Sequence, residues 1–343
     1  MQIGERLVLG SSLTDDNMTY LKQLGVDQLM VMTLEAGGSV PNKAVSIGAG
    51  LAEGDFYRLE DLQALKKWVE SHRLELFTIV QTPFNRWDKI ITGQPGRDAQ
   101  IENWCTSLRN MGKAGIPMLQ YSWVINAGAW LPLWRTSAEN VGRGGAKIVR
   151  FDNDVAQKTP VSKEFGVISE AAMWENLTYF LKSVIPVAEE SGVKMMMHPA
   201  DPQVPSITGI ARIIRSVQAY DRLFKIAPSE ANNMVLCLGC LSQIMEPEGV
   251  YKAIRHFARA NKIGYVDFRN VRGTLTKFDE VYPDEGKLDM VKAIKTLKQT
   301  GYTGRIVPDH APHTINDSPA GNISHAFQIG YLKGLLQSAG AAE

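Results

Sequence analysis

The sequence predicts a (β/α)8 barrel, the TIM-barrel fold, and three observations lead to that prediction. Eight short apolar runs alternate along the chain with amphipathic helical patterns, an alternation that is typical of a parallel sheet. The length of 343 residues accommodates a barrel of about 250 residues with loop insertions. Neither a G-x-G-x-x-G run nor a P-loop follows a predicted strand, which argues against a doubly wound nucleotide-binding sheet, although the number of strands alone leaves that fold open.

In the first half of the chain, four aliphatic runs predict strands at residues 6–10, 28–33, 75–81 and 117–123. Helices are predicted at residues 12–24, 59–72 and 98–114. The first begins at a capping sequence, Ser12-Leu-Thr-Asp-Asp16, and the second repeats apolar residues at helical spacing. Residues 34–57 are a loop rich in glycine and small residues. Residues 124–160, which include Trp130 and Trp134, are the largest insertion, and loops of such length are usually functional.

In the second half, strands are predicted at residues 193–198, 234–239, 263–270 and 305–309, and helices at residues 169–191, 209–220, 248–259, 288–299 and 324–337. Ser169 suits the N-cap of the first of these helices. Pro186 is expected to kink that helix or to end its first part. We expect residues 1–343 to form a single barrel domain with an insertion at about residues 124–160.

The composition excludes several classes of partner. Lysine and arginine number 37 against 36 aspartate and glutamate, so no excess of cations is present to bind a nucleic-acid backbone or an anionic membrane. No apolar stretch approaches the ~18 residues of a membrane span, and the N-terminus lacks the pattern of a signal peptide. Three cysteines, Cys105, Cys237 and Cys240, are too few for a disulfide framework and fit a reducing compartment. We expect a cytoplasmic protein.

Four consecutive strands of the second half end in side chains that can bind a metal. These side chains are His198, Cys237, Asp267 and Asp309. The C-terminal ends of barrel strands meet at the face that carries the active site. One imidazole, one thiolate and two carboxylates suit Mn2+, Fe2+ or Zn2+ better than Mg2+. A buried cysteine taken alone is more often an apolar filler, so the prediction of a metal site depends on the four side chains together.

Cys237 and Cys240 also form a C-x-x-C pair. In reactive pairs of this kind the first cysteine lies at the start of a helix, which lowers the pKa of its thiol. Because Cys237 is predicted to end a strand, we expect a metal ligand there rather than dithiol redox chemistry.

Further ionisable groups near these strand ends supply acid–base chemistry and a clamp for a carboxylate. His310 and His313 can act as general acid or base near neutral pH. Arg269 shares a strand face with Asp267 and, together with Arg143, can bind a substrate carboxylate through paired hydrogen bonds. The alternative for Arg143 is a solvated loop cation. A metal, a clamp and a histidine base suit proton abstraction beside a carboxyl or carbonyl group.

Several motifs between about residues 89 and 335 are similar to those of a known family. They include Lys89-Ile-Ile-Thr-Gly-Gln-Pro-Gly-Arg-Asp98, Arg143-Gly-Gly-Ala146, His198-Pro-Ala-Asp-Pro202, Leu236-Cys-Leu-Gly239, Phe268-Arg-Asn-Val271, Pro308-Asp-His310 and Gly330-Tyr-Leu-Lys-Gly-Leu335. In their order and spacing they resemble the mannonate dehydratases of hexuronate catabolism, which have a xylose-isomerase-like barrel. The resemblance implies removal of water from mannonate to give 2-keto-3-deoxygluconate.

The resemblance also implies roles for individual residues. The family holds Mn2+ or a similar ion with a His, a Cys, a second His and an Asp, and His198, Cys237 and Asp309 match three of these positions. His310 matches the family's catalytic histidine. This chain has Asp267 at the position of the second metal-binding histidine. An aspartate there adds negative charge, which changes the metal preference and the acidity of bound water.

We therefore predict a metal-dependent hydro-lyase that acts on a mannonate-like sugar acid. Mn2+ is the expected ion, with Fe2+ or Zn2+ as alternatives, Asn270 is expected to bind the substrate, and the resemblance suggests a homo-oligomer. The tyrosine that the family has before its last helix is missing from Ala320-Gly-Asn-Ile-Ser324. An isomerase or epimerase on the same scaffold is therefore the first alternative. A catalytically silent sugar-binding relative is the second, although it has no need for ionisable groups on four adjacent strands.

Overall fold

The computed structural model describes residues 1–9, 11–33, 49–80, 83–126 and 135–340. Eight of its strands, numbered with the others in chain order, are parallel and close into a barrel. They are β1 (Gln2–Val8), β2 (Gln28–Met32), β3 (Glu75–Val80), β4 (Met118–Ser122), β7 (Lys194–His198), β10 (Asn232–Cys237), β11 (Ile263–Phe268) and β14 (Arg305–Pro308). Around the barrel the order is β1-β14-β11-β10-β7-β4-β3-β2. The predicted (β/α)8 barrel is confirmed, with small shifts at the strand ends.

Helices follow the barrel strands and pack on the outside of the sheet through one large apolar core. The described helices are α1 (Asp15–Gln23), α2 (Leu59–Ser71), α3 (Asp88–Thr92), α4 (Arg97–Ala114), α5 (Asn153–Ala156), α6 (Glu170–Glu190), α7 (Val217–Ile226), α8 (Leu238–Ile244), α9 (Pro247–Arg259), α10 (Met290–Gln299) and α11 (Asn322–Ser338). None of them combines the length and the hydrophobicity that crossing a lipid bilayer requires.

Helix α6 tests two local predictions. Ser169 is its N-cap, as predicted, and the Ser169 hydroxyl accepts a hydrogen bond from the backbone N–H of Ala172. Pro186 does not end the helix, which continues to Glu190. Pro186 has no N–H to donate to the carbonyl of Lys182. Both residues lie on the exposed face of the helix. Water can therefore satisfy that carbonyl.

The helix predicted at residues 209–220 is wrong in its first half. A two-stranded hairpin, β8 (Ser206–Ile207) and β9 (Ile210–Ala211), occupies that stretch, and α7 begins only at Val217. The hairpin turn has positive φ angles at two consecutive residues, Thr208 and Gly209, as a tight hairpin turn requires. The Ser216 hydroxyl then accepts a hydrogen bond from the backbone N–H of Ala219 and caps α7.

A second sheet lies beside the barrel strands. Its strands are β5 (Ser137–Val141), β6 (Lys147–Asp152), β12 (Asn270–Thr274) and β13 (Lys277–Val281), antiparallel in the order β12-β13-β6-β5. It joins the described part of the predicted insertion to a hairpin that directly follows β11. The sequence did not predict that hairpin. Trp130 and Trp134 of the insertion and residues 34–48 of the glycine-rich loop lie outside the described residues.

The barrel interior is filled by a small apolar core of its own. Four of its members lie on the adjacent strands β7, β10, β11 and β14. We call these four residues the floor: Met196, Val235, Tyr265 and Val307. Side chains two residues apart on a strand point to the same face. The next inward-facing residues along these strands are therefore the four predicted metal ligands.

Candidate active site

The structure brings the four predicted metal ligands together at the C-terminal end of the barrel. We call His198, Cys237, Asp267 and Asp309 the strand-end cluster. Nε2 of His198 lies 3.3 Å from a carboxylate oxygen of Asp267. One ligand atom from each of Cys237, Asp267 and Asp309 lies within 4.8 Å of the others. Cys237 and Asp267 also occupy the same level of the sheet, as direct partners in the register of β10 and β11.

The cluster is largely buried, and its members lie close enough to shift one another's pKa. Burial disfavours the charged form of Asp267 and the negative charge of Asp309 adds to that effect, so the pKa of Asp267 rises to about 6. Burial opposes protonation of His198, yet its contacts with Asp267 and Cys237 outweigh burial and raise its pKa to about 10. In the absence of another cation, the His198 proton neutralises part of the negative charge of the cluster.

The two remaining members favour the ionised form. Burial works against ionisation of Cys237, but the contact with Cys240 and the positive charge of Arg269 hold the pKa of Cys237 well below its usual value. Burial also opposes the charge of Asp309, and the nearby positive charges, among them Arg6, hold the pKa of Asp309 below its usual range. A thiolate, a carboxylate and a second carboxylate poised to ionise fit a divalent transition ion.

Arg269 lies beside the cluster, and its guanidinium binds several protein groups. Its guanidinium donates hydrogen bonds to Asp201 at 2.9 Å, to the sulfur of Cys240 at 3.0 Å and to Glu280. Its Nε lies 3.2 Å from Asp309, and the side chain is fully buried. The residue was predicted to clamp a substrate carboxylate. This geometry instead makes it a support for the acidic groups.

The close approach of Arg269 depends on Gly239, the last residue of the Leu236-Cys-Leu-Gly239 motif. A Cβ on Gly239 would lie 2.5 Å from both Cγ and Nε of Arg269, a distance that side-chain atoms do not tolerate. The glycine therefore allows α8 to begin directly after Cys237 while the arginine passes beside it.

His310 is the most accessible of the ionisable groups around the cluster. Its side chain is 25% exposed, whereas that of Asp309 is 4% exposed. Nδ1 of His310 lies 2.8 Å from a carboxylate oxygen of Glu280 and 3.0 Å from a guanidinium nitrogen of Arg269. Nε2 lies 3.7 Å from Asp309. The Nδ1 edge of the ring is thus held by buried charges, while the Nε2 edge faces Asp309 of the cluster.

Four buried ionic groups support the site, and sequence reasoning named only Arg269 among them as a site residue. We call Arg135, Asp201, Arg269 and Glu280 the support network. Arg135 donates hydrogen bonds to Asp201 at 2.7 Å and to Glu280 at 2.5 Å. Asp201 belongs to the His198-Pro-Ala-Asp-Pro202 motif, whereas Glu280 lies on strand β13, which the sequence did not predict.

Arg6 is a further missed contributor to the site. It lies on β1, and its guanidinium donates a 2.7 Å hydrogen bond to Asp309. The alternation of side chains along β1 could have predicted this contact, because it turns Arg6 toward the barrel interior at the level of the strand-end cluster.

Two other predicted site residues lie in different surroundings. Arg143 pairs with Asp284 at 2.5 Å, packs over the ring of Tyr282 and is 45% exposed. His313 is exposed and pairs through its backbone with Lys147. In the part of the chain that the structure describes, neither side chain makes a hydrogen bond or an ion pair with the strand-end cluster.

The side chain of Asn270, predicted to bind substrate, is fully used by backbone groups. Its amide donates hydrogen bonds to the carbonyls of Pro283 and Leu288, and its oxygen accepts hydrogen bonds from the N–H groups of Val271 and Leu288. Asn270 therefore fixes the loop that follows β13.

Comparison with known proteins gives consistent matches over most of the chain. The sequence profile of the D-mannonate dehydratase family matches residues 45–165 and 159–343. A mannonate dehydratase of Streptococcus suis strain 05ZYH33 is 30% identical over 342 residues, with 90% of each chain covered. A mannonate dehydratase of Streptococcus agalactiae serotype V is 31% identical over 310 residues, which cover 81% of this chain and 86% of the relative.

Solved structures agree with this result. The crystal structure of mannonate dehydratase from Streptococcus suis serotype 2 matches with a TM-score of 0.82 at 28% identity, covering 99% of this chain and 95% of that chain. D-Psicose 3-epimerase from Clostridium cellulolyticum H10 matches with a TM-score of 0.57 at 14% identity, covering 99% and 96%. A xylose isomerase domain protein from Planctomyces limnophilus matches with a TM-score of 0.60 at 11% identity, covering 99% and 98%. The last two show the fold alone, a xylose-isomerase-like barrel.

Proposed function

Because this chain belongs to the D-mannonate dehydratase family, we propose that it is a metal-dependent lyase that dehydrates a mannonate-like aldonate to a 2-keto-3-deoxy acid. One observation supports this proposal most. The four strand-end side chains, drawn from four separate strands, converge beside a partly exposed histidine.

The strand-end cluster holds the ion in this proposal. His198, Cys237, Asp267 and Asp309 offer nitrogen, sulfur and oxygen ligands, a mixture that suits Mn2+ and also Fe2+ or Zn2+. A bound divalent ion supplies positive charge that polarises the carboxylate and the neighbouring hydroxyl of a sugar acid. Asp267 adds a negative charge to the ligand set and makes the loaded site less electrophilic than one with a neutral histidine at that position.

His310 transfers the proton. The ring edge away from Glu280 is the one that can reach a substrate, because Nδ1 is held at 2.8 Å by that carboxylate. His310 takes the proton from carbon 2, and the electrons of that C–H bond form the double bond between carbons 2 and 3. The hydroxyl on carbon 3 leaves with a proton returned by His310, so one water is released and an enol remains. The enol then tautomerises to the 2-keto-3-deoxy acid. General acid–base catalysis of this kind contributes about 10²–10⁴-fold to the rate.

The other predicted residues take different parts in the proposal. Arg269 is a positioning residue, since its buried guanidinium binds Asp201, Glu280 and Asp309. Asn270 fixes a loop beside the site through four hydrogen bonds to backbone groups. Arg143 and His313 receive no role in the reaction.

Activity on defined sugar acids tests the proposal. The purified protein is stripped with a chelator, refilled with Mn2+ and incubated with each of the common hexonates, and 2-keto-3-deoxy product is measured. The refilled protein is expected to form product from a mannonate-like acid, and the stripped protein is expected to form none. Absence of product from every hexonate contradicts the proposal. Incorporation of solvent deuterium into recovered sugar acid without loss of water would indicate an isomerase or epimerase instead.

We also infer a cytoplasmic location and a homo-oligomeric state. Cys105, Cys237 and Cys240 are free and buried thiols, which fits a reducing compartment. Large apolar side chains stand exposed in the described part of the chain, among them Val167 at 75% and Ile315 at 82%, and such side chains suit subunit contacts. Sedimentation at equilibrium is expected to give a multiple of the 37.9 kDa chain mass, and a mass of one chain contradicts the inference.

A further inference from the structure

Cys240 is a buried thiol to which the proposed reaction gives no role. The sulfur atoms of Cys237 and Cys240 and a ring nitrogen of His198 lie within 4.8 Å of one another. The backbone N–H of Cys240 donates a hydrogen bond to the sulfur of Cys237 at 3.3 Å. The guanidinium of Arg269 donates to both sulfurs, at 3.5 Å and 3.0 Å. Two independent contacts thus hold the two sulfurs beside each other.

The structure removes the argument against redox chemistry at this pair. That argument assumed that Cys237 ends a strand and does not lie at the start of a helix. Cys237 ends strand β10 and is at the same time the N-cap of α8. The chain turns there from strand to helix within a single residue, which brings residue 240 back to the side of residue 237. C-x-x-C pairs placed at such turns form reversible disulfides in other proteins.

We infer that Cys237 and Cys240 form a reversible disulfide when the site holds no metal, and that this modification blocks metal loading. The oxidant is a peroxide. The sulfur of Cys237 attacks one peroxide oxygen and the O–O bond breaks. One water is released, and Cys237 becomes a sulfenic acid. The sulfur of Cys240 then displaces the sulfenic oxygen as a second water. Two thiols lose two electrons in total and the peroxide gains them.

The disulfide and the metal exclude each other because both need Cys237. A sulfur in a disulfide offers no thiolate to an ion, and a thiolate bound to an ion is not free to attack a peroxide. The consequence for loading rests on the proposed metal role of Cys237, but formation of the disulfide does not. Cys237 and Cys240 are buried, and the nearby side chains of His198 and His310 are 13% and 25% exposed. We expect a peroxide, which is close to water in size, to enter past these two histidines.

The chain supplies an internal control for this reaction. Cys105 is the third thiol and lies on α4, where its sulfur is near the carbonyl of Ser183 at 4.0 Å. It has no partner thiol among the three cysteines of the sequence, since the other two form the pair. Oxidation that is specific to the pair therefore leaves Cys105 reduced.

The experiment treats metal-free protein with hydrogen peroxide and counts thiols after denaturation. The count is expected to fall from three to one, with the pair recovered as one disulfide-linked peptide by mass spectrometry, and dithiothreitol is expected to restore all three. Mn2+-loaded protein keeps three thiols under the same treatment. Oxidised protein is expected to bind less than a tenth of the Mn2+ that the reduced protein binds, until dithiothreitol is added.

Two variants make the result decisive. C105S is expected to lose both of its thiols as the same disulfide. C240S is expected to form no disulfide, and dimedone is expected to trap a sulfenic acid at Cys237. The inference is overturned if the peptide that contains Cys237 and Cys240 stays reduced in peroxide-treated metal-free protein, or if its oxidised form binds Mn2+ as well as the reduced form. None of these measurements uses substrate, so a failure of the proposed function is recognised separately.

Discussion

Two layers of side chains inside the barrel lie one step apart on the same four strands and differ in chemistry. The floor is apolar, and the strand-end cluster above it is ionisable. Each cluster residue follows a floor residue by two positions, as His198 follows Met196 and Asp267 follows Tyr265. On these four strands the last inward-facing residue is ionisable and available for the proposed chemistry, while the residue two positions before it fills the interior with apolar atoms.

The floor also explains the strength of the electrostatic coupling above it. An apolar layer excludes water from below, and charges in such a low-dielectric setting interact strongly. The pKa of Asp267 rises to about 6 for this reason and because Asp309 lies close. Changes in the cluster are therefore expected to alter metal binding and catalysis, whereas changes in the floor are expected to alter stability.

The largest effect is expected from D309N. The substitution keeps the shape of the side chain but removes a charged ligand, so the loss of Mn2+ affinity should exceed the roughly 10–100-fold that changes outside the ligand shell cost. Activity should be lost with the metal. Elemental analysis after dialysis measures the first effect. D279N is the matched control, because Asp279 pairs with Arg150 away from the cluster, and equal metal content in the two variants contradicts the assignment.

The next effect is expected from H310A. Removal of the proposed proton-transfer group should lower kcat by about 10²–10⁴-fold while the Mn2+ content stays that of the wild type. H313A should retain the wild-type rate, since the His313 side chain is exposed and its backbone pairs with Lys147 away from the cluster. A similar loss in both variants would remove the distinction that the structure draws between the two histidines.

A smaller effect is expected from E280Q. Glu280 holds Nδ1 of His310 at 2.8 Å, and loss of its charge should lower kcat by about 10–100-fold, as substitutions of orienting groups do. KM and metal content should be unchanged. If E280Q instead loses metal and thermal stability together with activity, Glu280 acts only as a structural member of the support network.

The pH dependence of metal binding sharpens the comparison further. His198 carries a proton below a pKa of about 10 in the metal-free protein, and an ion must displace that proton to bind the imidazole. The apparent Mn2+ affinity should therefore rise about tenfold per pH unit between about pH 7 and pH 9, with release of about one proton per ion. Below the pKa of Asp267, about 6, a second proton competes. Competition titrations with a chelator measure the slope, and a flat profile contradicts this ligand assignment.

The smallest effect on chemistry is expected from M196A in the floor. Met196 is fully buried and packs against Gly264, where an added Cβ would lie 2.0 Å from the Met196 sulfur. Truncation should cost about 2–5 kcal/mol of unfolding free energy and leave the Mn2+ stoichiometry at that of the wild type. Denaturant unfolding and elemental analysis provide the two readings, and loss of metal without loss of stability would reverse the roles given to the two layers.

The sequence was sufficient to predict the barrel and the strand-end cluster for a physical reason. Strand alternation and apolar runs are local signals, so His198, Cys237 and Asp309 could be placed at strand ends before any contact was known. The prediction of a helix at residues 209–220 failed because the hairpin turn at Thr208-Gly209 was not recognised.

The support network could not be predicted because its contacts are not local. Glu280 and Arg135 are 145 residues apart in the chain. Glu280 lies on a hairpin whose turn, Leu275-Thr276, lacks the Asn-Gly or Asp-Gly sequence that marks such turns. The burial of Arg269 among carboxylates, which changes it from a clamp into a support, depends on this hairpin and followed from no local pattern. The organisation of residues 1–343 as a single domain stays a prediction.

Anomalous diffraction at the manganese edge from crystals of the Mn2+-loaded protein tests the central claim most directly. The account predicts one strong anomalous peak within bonding distance of a ring nitrogen of His198, the sulfur of Cys237 and a carboxylate oxygen of each of Asp267 and Asp309. A peak bound to other residues, or Mn2+-loaded crystals without a peak between these four side chains, would contradict it.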